Sequence, residues 1–126
     1  MIRKELNLRL PNSPGALGGL CRLLDAERVN IQAMALDAGG NLRLVVDNHV
    51  HCAAILREHH HQVTEREVVV CALPNVPGAL AGPLRLVADA GVNVEYAYGG
   101  ATDAGATAAV VLGVDDAMRT SALTGL

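Results

Sequence analysis

Apolar and polar residues alternate at the start of the chain and predict a strand over residues 2–10. Leu6, Leu8 and Leu10 fall on one face. Lys4, at the start of the run, is the polar exception to this apolar series. A two-residue period of this kind is typical of a strand that is buried on one face.

The next apolar pattern has helical spacing. Four residues recur at i, i+3, i+4 and i+7 and form one apolar face: Leu17, Leu20, Cys21 and Leu24. Ser13-Pro14 precedes them, and proline suits the first helical position because its missing N–H is not needed there. We therefore predict that the helix opens at Ser13-Pro14.

The remaining segments of this half alternate between extended and helical patterns. Residues 29–36 and 42–46 read as strands around the turn sequence DAGGN. Asp47 or Asn48 can cap a second helix. Its apolar face carries Cys52, Ile55, Leu56 and His59. The chain is extended again from Gln62, which completes the order strand, helix, strand, strand, helix, strand.

The same pattern occurs twice. PNSPGAL at 11–17 returns as PNVPGAL at 74–80, and Val29-Asn30 returns as Val92-Asn93. A repeat at a fixed spacing indicates a duplicated supersecondary unit. We predict an α+β fold of two ferredoxin-like βαββαβ units, with antiparallel sheets and helices on one face.

The two units are expected at residues 1–66 and 67–126. Residues 62–73 are too few for two separate strands and a linker, so we predict one continuous strand shared at the junction. The last helix, from Asp115 to about Leu123, runs almost to residue 126. The second unit therefore lacks its last strand, and the edge beside its first strand is expected to be open.

Composition narrows the class of protein. The chain has 126 residues and is 51% hydrophobic, but it contains no Phe or Trp and only two Tyr. The net charge is −3 without a basic stripe, which argues against nucleic acid and an anionic membrane as partners. No apolar run approaches the ~20 residues of a membrane span.

The cysteines and the N-terminus point to the cytoplasm. Cys21, Cys52 and Cys71 are odd in number and form no CxxC pair, so we interpret them as reduced and mostly buried. The first ten residues lack the apolar core of a signal peptide. We therefore expect a cytoplasmic protein.

The residues of the repeated turn can bind a ligand or cap the helix that follows. Backbone N–H groups at a helix start are unpaired and carry the positive end of the helix dipole, which suits a carboxylate. An Asn amide offers both a donor and an acceptor. Asn12 and Asn75 can therefore contact a ligand or simply cap the helix, and Ser13 is the more natural cap of the first copy.

The tyrosines and the histidines each allow a structural and a functional interpretation. Tyr96 and Tyr98 lie two apart on one strand face, where they either pack in the interior or form a pocket wall. All five histidines fall between residues 49 and 61. They invite a metal-binding interpretation, but a helix length of ~12 Å or more separates His49 and His51 from the 59–61 triplet. We predict no metal site, and no cofactor.

The duplicated N-x-P-G-x-L turn, followed by V-N-I/V at the next strand, resembles the ACT domain over nearly the whole chain. It looks most like tandem ACT proteins that stand alone, whose second repeat reads PNVPGAL and then V-x-x-E-Y-x-Y. The resemblance implies a regulatory module that binds free amino acids where ACT domains meet, at the turns and neighbouring strand residues. The implied ligand-binding residues are Asn12, Ser13, Gly15, Ala16, Leu17 and Ile31 in the first copy, and Asn75, Val76, Gly78, Ala79, Leu80, Val94 and Tyr96 in the second.

The sequence shows no catalytic constellation, and we expect a protein that is not an enzyme. Gly99, Gly100 and Gly105 belong to a hairpin and do not precede a helix as a phosphate loop would. We expect a homodimer that senses an amino acid. The alternatives are a regulatory subunit or interaction module of an amino-acid biosynthetic enzyme, with that enzyme as its partner, and a metal-binding regulator.

Overall fold

Six strands and four helices make up the computed structural model, which describes all residues from Met1 to Leu126. The elements in chain order are β1 (Ile2–Arg9), α1 (Ala16–Ala26), β2 (Ile31–Leu36), β3 (Asn41–Val46), α2 (His49–Glu58), β4 (Thr64–Pro74), α3 (Ala81–Asp89), β5 (Tyr96–Gly100), β6 (Thr107–Gly113) and α4 (Ala117–Thr124). The predicted α+β class with antiparallel strand pairs is confirmed.

The chain forms two compact units. The N-terminal unit is Lys4–Arg66, and the C-terminal unit is Glu67–Leu126 together with Met1–Arg3. β4 is one unbroken strand of 11 residues, and the boundary between Arg66 and Glu67 falls within it. None of the four helices has the length and apolar character that crossing a bilayer requires.

The N-terminal unit has its strands in the order β2-β3-β1. Leu8 lies opposite Leu42 and Leu6 opposite Leu44 in the antiparallel β1–β3 pair. These four side chains are buried in one core with the apolar faces of both helices, because alternate strand residues point to the same face. The helix residues of that core are Leu20, Leu24, Cys52, Ala53, Ile55 and Leu56.

The C-terminal unit repeats this plan with strands in the order β4-β6-β5. Its smaller core is built around Val69, Val87 and Leu112. No strand follows α4. The β4 edge is not open at Val70, however, because Met1 and Val70 exchange backbone hydrogen bonds of 3.1 and 2.7 Å. The expectation of an open edge was wrong there, since no local pattern reveals that the start of the chain pairs with β4.

α1 begins later than its sequence suggests. Its first residue is Ala16, and the N-cap is Gly15, which has a φ of 82° and makes no side-chain capping bond. Neither Asn12 nor Ser13 caps this helix, contrary to the structural alternative considered above. The left-handed backbone at Gly15 separates Pro14 from the helix and so excludes the proline from the first helical position.

α3 also starts late, and this accommodates Pro83. The helix begins at Ala81, two residues after the position equivalent to Ala16. Pro83 is therefore the third helical residue, where a backbone N–H has no partner within the helix. The first bond of this helix is donated by Leu84 to Leu80 at 3.2 Å, so the proline removes no hydrogen bond.

Candidate functional site

A cavity of about 150 Å³ lies beside the first Asn-x-Pro-Gly turn. We name it the first-turn cavity; it is lined by residues within 10–18 and by residues within 36–40 of the β2–β3 hairpin. Ala16 donates its backbone N–H to Ser13 at 3.3 Å. The N–H groups of Leu17 and Gly18 donate to no protein acceptor, because the first helical bond is that from Gly19 to Gly15. Two free donors therefore lie at this wall.

The hairpin brings a carboxylate to the same cavity. Asp37 accepts hydrogen bonds from the backbone N–H of Asn41 at 3.0 Å and from its side-chain amide at 3.1 Å. These bonds, the side-chain one first, lower the pKa of Asp37 below its ordinary value. The carboxylate is therefore ionised at neutral pH.

Gly40 fixes the hairpin against the end of β1. Its φ is 85°, and an added Cβ would lie 2.4 Å from the carbonyl oxygen of Leu10. Leu10 donates its N–H to the Gly40 carbonyl at 2.8 Å. Only glycine allows the two backbones to approach this closely, so the wall of the cavity depends on this residue.

The second turn has its own cavity of about 320 Å³, which we name the second-turn cavity. It is lined by residues within 73–80 and by residues of the β5–β6 hairpin, including Gly99, Gly100 and Ala108. No Asp, Glu, Lys or Arg lines it. The two copies of the turn therefore present different electrostatic environments.

The two asparagines of the repeated turn differ in the same way. Asn75 donates its side-chain amide to the carbonyls of Thr102 at 3.1 Å and Gly105 at 2.9 Å. Both amide hydrogens of Asn75 are thus used within the protein, and only its Oδ1 is available to a ligand. Asn12 is exposed and has no hydrogen-bond partner in the structure, so its whole amide is available.

The glycine after the proline has the same conformation in both copies. Gly15 has a φ of 82° and Gly78 a φ of 81°, and an added Cβ would meet nothing within 4 Å at either position. The requirement for glycine is therefore conformational.

These features can be compared with those of known proteins. The chain is 30% identical to protein BT0572 from Bacteroides thetaiotaomicron, whose crystal structure superposes with a TM-score of 0.87, covering 98% of this chain and 86% of that one. The chain belongs to the family of that protein. No family model matches the chain, and a search of curated proteins finds no significant match.

Structures of lower sequence identity share the fold of this chain. The ligand-free regulatory subunit of aspartate kinase from Thermus thermophilus superposes with a TM-score of 0.68 at 14% identity, covering 98% of this chain and 91% of that one. E. coli aspartokinase III in complex with lysine and aspartate superposes at 0.62 and 17% identity, over 94% of this chain and 29% of that one. The fold is that of the aspartate kinase regulatory domains.

Ten of the thirteen ligand-binding residues predicted from the sequence line the two turn cavities. Asn12, Ser13, Gly15, Ala16 and Leu17 all line the first-turn cavity. The second-turn cavity is lined by the five equivalent residues, Asn75, Val76, Gly78, Ala79 and Leu80. These turn residues remain candidates.

Three predicted residues lie elsewhere. Ile31 and Val94 pack against the two hydrophobic cores. Tyr96 stacks on Tyr98 with ring centroids 6.4 Å apart, and its ring covers Gly113, where an added Cβ would lie 2.2 Å from it. None of the three lines a cavity, and the stacked tyrosines correspond to the packing alternative.

The sequence analysis missed the hairpin contribution to each site. Asp37, Ala38 and Gly40 line the first-turn cavity, and Gly99, Gly100 and Ala101 line the second. The turn sequence DAGGN was recognised only as a hairpin. In a βαββαβ unit the tip of that hairpin lies beside the end of the first strand, and this topological argument would have found these residues.

The histidines and cysteines form no shared centre. No group of three or more His, Cys, Asp or Glu side chains is placed so that it could hold a metal ion. His51 lies at the start of α2 and His59 at its end. Cys52 and Cys71 are buried in separate cores, and burial raises the pKa of Cys52 to about 11.

Proposed function

We propose that the chain is a tandem ACT protein that binds a free α-amino acid in the first-turn cavity and acts as a regulatory sensor. The observation that carries the proposal is the combination of groups at this cavity. Two unpartnered backbone N–H groups, of Leu17 and Gly18, occur together with the ionised carboxylate of Asp37 and the free amide of Asn12.

This combination matches a zwitterion. The carboxylate of an amino acid accepts from the backbone N–H groups, which also lie at the positive end of the α1 dipole. Its ammonium donates to Asp37 and to the Oδ1 of Asn12, because an ammonium is a donor only. A hydrogen bond to an ionised partner is stronger than a neutral one, so both ends of the ligand are recognised.

The volume favours a small side chain. A cavity of about 150 Å³ corresponds to roughly five water molecules at ~30 Å³ each. This volume accommodates a small amino acid such as alanine, serine or valine and is less than an aromatic one needs. We therefore expect serine or alanine to bind more tightly than phenylalanine.

The second-turn cavity is the weaker candidate for the same ligand. It has no ionised side chain, and Asn75 offers only an acceptor oxygen. An ammonium there would lose its water for one neutral acceptor, which is unfavourable when the group is desolvated. We therefore propose one amino acid per chain, bound at the first turn.

The structural neighbours support a regulatory role. They include the regulatory subunit of an aspartate kinase and an aspartokinase that is crystallised with lysine and aspartate. A regulatory subunit carries out no catalysis itself, which agrees with the absence of a catalytic motif in the sequence. Homodimerisation, a site at the meeting of two ACT units and a cytoplasmic location stay predictions.

Thermal-shift measurements against the twenty amino acids test the proposal. A ligand at 100 times its Kd stabilises the folded state by about 2.7 kcal/mol, which a protein of this size shows as several degrees in Tm. Asp37→Ala should abolish the shift, and Asn93→Ala, outside both cavities, should retain it. The absence of a shift with any amino acid at millimolar concentration would exclude the sensor.

A second function is favoured by the apolar surface around the second turn. Val76, Leu80 and Leu84 are apolar and are 58%, 44% and 38% exposed. Exposed apolar side chains that lie together mark protein interfaces, as expected for a regulatory subunit that binds a biosynthetic enzyme. Co-purification of an enzyme with the wild type, lost in Leu80→Ser, would support this function, and an unaccompanied chain would exclude it.

A further inference from the structure

A third cavity is unrelated to either turn. It has a volume of about 450 Å³ and lies wholly in the N-terminal unit, where the end of β1, the start of β3 and residues 60–64 meet. We name it the arginine cavity. The residues that matter here are Asn7, Arg9, Asn41, Arg43, His60 and His61.

The lining of the arginine cavity is positively charged, whereas the chain as a whole is negatively charged. The protein has 13 Asp and Glu against 10 Lys and Arg, with a net charge of −3. The arginine cavity nevertheless has two arginines and two histidines in its lining, and no carboxylate. A concave surface with one sign of charge concentrates counter-ions of the opposite sign.

Each guanidinium group donates to the amide oxygen of an asparagine. Arg9 donates to the Oδ1 of Asn41 at 3.2 Å and to the carbonyl of Gly39 at 2.8 Å. Arg43 donates to the Oδ1 of Asn7 at 2.9 Å. The strand register places Arg9 opposite Asn41 and Asn7 opposite Arg43. Each arginine is thus fixed by the amide across from it without loss of its charge.

The nearby carboxylates compensate only one arginine. The buried Glu5 lies 3.7 Å from Arg43, and Asp37 is close enough for Arg43 to contribute to its lowered pKa. Arg9 has no carboxylate within ion-pair distance. A guanidinium carries five N–H donors, so two hydrogen bonds leave three donors of Arg9 available to a ligand.

The histidines belong to a fixed turn. His60 has a φ of 67°, and the N–H groups of His60 and His61 donate to Arg57 at 3.1 Å and Leu56 at 3.0 Å. Arg57 in turn donates its guanidinium to the carbonyl of Val63 at 3.0 Å. The backbone of both histidines is therefore held in place, and an imidazole has at least one ring N–H donor in either protonation state.

We propose that the arginine cavity binds a phosphate-bearing small molecule. Pre-positioned guanidinium groups recognise phosphate oxygens by paired hydrogen bonds, and imidazole and amide donors complete such a site. The volume is roughly fifteen water molecules at ~30 Å³ each, which exceeds inorganic phosphate and fits a phosphate ester or a diphosphate. A polycarboxylate shares the charge but not the tetrahedral arrangement of oxygens, and serves as the comparison ligand.

Isothermal titration of the full chain with pyrophosphate at low ionic strength tests the site. We expect saturable binding of one pyrophosphate per chain that weakens with added NaCl, since exposed charges are screened. Citrate should bind more weakly. Arg9→Gln should weaken pyrophosphate at least about tenfold, because a charge-assisted bond is lost, and Arg85→Gln, an exposed arginine of α3, should have no effect.

Two further variants keep the test decisive. His61→Ala should weaken pyrophosphate about twofold to tenfold, and it leaves both arginines in place if Arg9→Gln folds poorly. Arg9→Lys should recover part of the affinity by restoring the charge. The proposal is overturned by an absence of saturable binding at millimolar pyrophosphate, by citrate binding more tightly, or by equal losses in Arg9→Gln and Arg85→Gln.

Discussion

The side-chain amide of Asn75 donates a hydrogen bond to the carbonyl of Gly105 at 2.9 Å, across 30 residues of chain. With the second bond to Thr102 it joins the second turn to the β5–β6 hairpin. The equivalent Asn12 makes no such bond. The asparagine of the repeated turn therefore joins two segments in the second copy and makes no hydrogen bond in the first.

The two asparagines should consequently differ in their effect on stability. Asn75→Ala removes two hydrogen bonds at an exposed position and should lower the free energy of unfolding by about 1–2 kcal/mol. Asn12→Ala should change it by less than about 0.5 kcal/mol. Urea denaturation of the two variants measures both values. Equal losses would show that Asn12 has a partner as well.

The left-handed glycines give a second prediction. Gly15→Ala and Gly78→Ala should each cost about 1–2 kcal/mol of unfolding free energy, because alanine is strained at a φ near 80° even where space is open. Gly82 is the matched control, since it lies within α3 with open space around it. Gly82→Ala should stabilise the protein by about 0.5–1 kcal/mol. Chemical denaturation of all three variants decides between strain and a simple packing effect, which would give all three the same sign.

A larger effect is expected at Gly40. An alanine there would bring its Cβ to 2.4 Å from the carbonyl oxygen of Leu10, so one of the two backbones must move and the Leu10–Gly40 hydrogen bond is lost. We expect a loss of about 2–4 kcal/mol in unfolding free energy. Gly39→Ala, at an ordinary φ in the same turn, is the control and should cost less. Similar losses in both would contradict the close approach of the backbones.

Most of the fold could be predicted from the sequence, because the fold follows periodic patterns. The alternation of Leu6, Leu8 and Leu10 and the repeat of the Asn-x-Pro-Gly turn determine strands, helices and the duplication. The pairing of Met1 with Val70 could not be predicted, since it joins segments that are 69 residues apart. The helix start at Ala16 was missed because helical spacing does not reveal the left-handed conformation of Gly15.

The site was less predictable than the fold, for a physical reason. The turn residues carry a recognisable motif, but the role of each depends on neighbours in space. Asp37 reads as a turn residue in sequence, and only the structure places it on the cavity wall. The sequence likewise left packing and a pocket wall open for Tyr96, and the structure places its ring over Gly113.

Asp37 should make stability depend on pH in a defined direction. Its pKa is lowered in the folded state by the bonds from Asn41, so the carboxylate contributes stability above its unfolded pKa of about 3.9. This contribution is lost as pH falls through the lower folded pKa. The difference in unfolding free energy between the wild type and Asp37→Ala should therefore be constant from pH 7 to 5 and shrink towards pH 3. A difference that grows on acidification would contradict the assignment.

Thiol reactivity provides the last prediction. Cys52 is fully buried, and its pKa of about 11 keeps it protonated at pH 8, so it lacks the thiolate that reacts. Cys71 is buried as well, and burial raises its pKa, whereas Cys21 is only half-buried on α1. Titration with a chromogenic disulfide at pH 8 should show one fast thiol and two slow ones, all three becoming fast in denaturant. Cys21→Ser should remove the fast phase alone, and a fast phase that survives this substitution would place one of the other two cysteines at the surface.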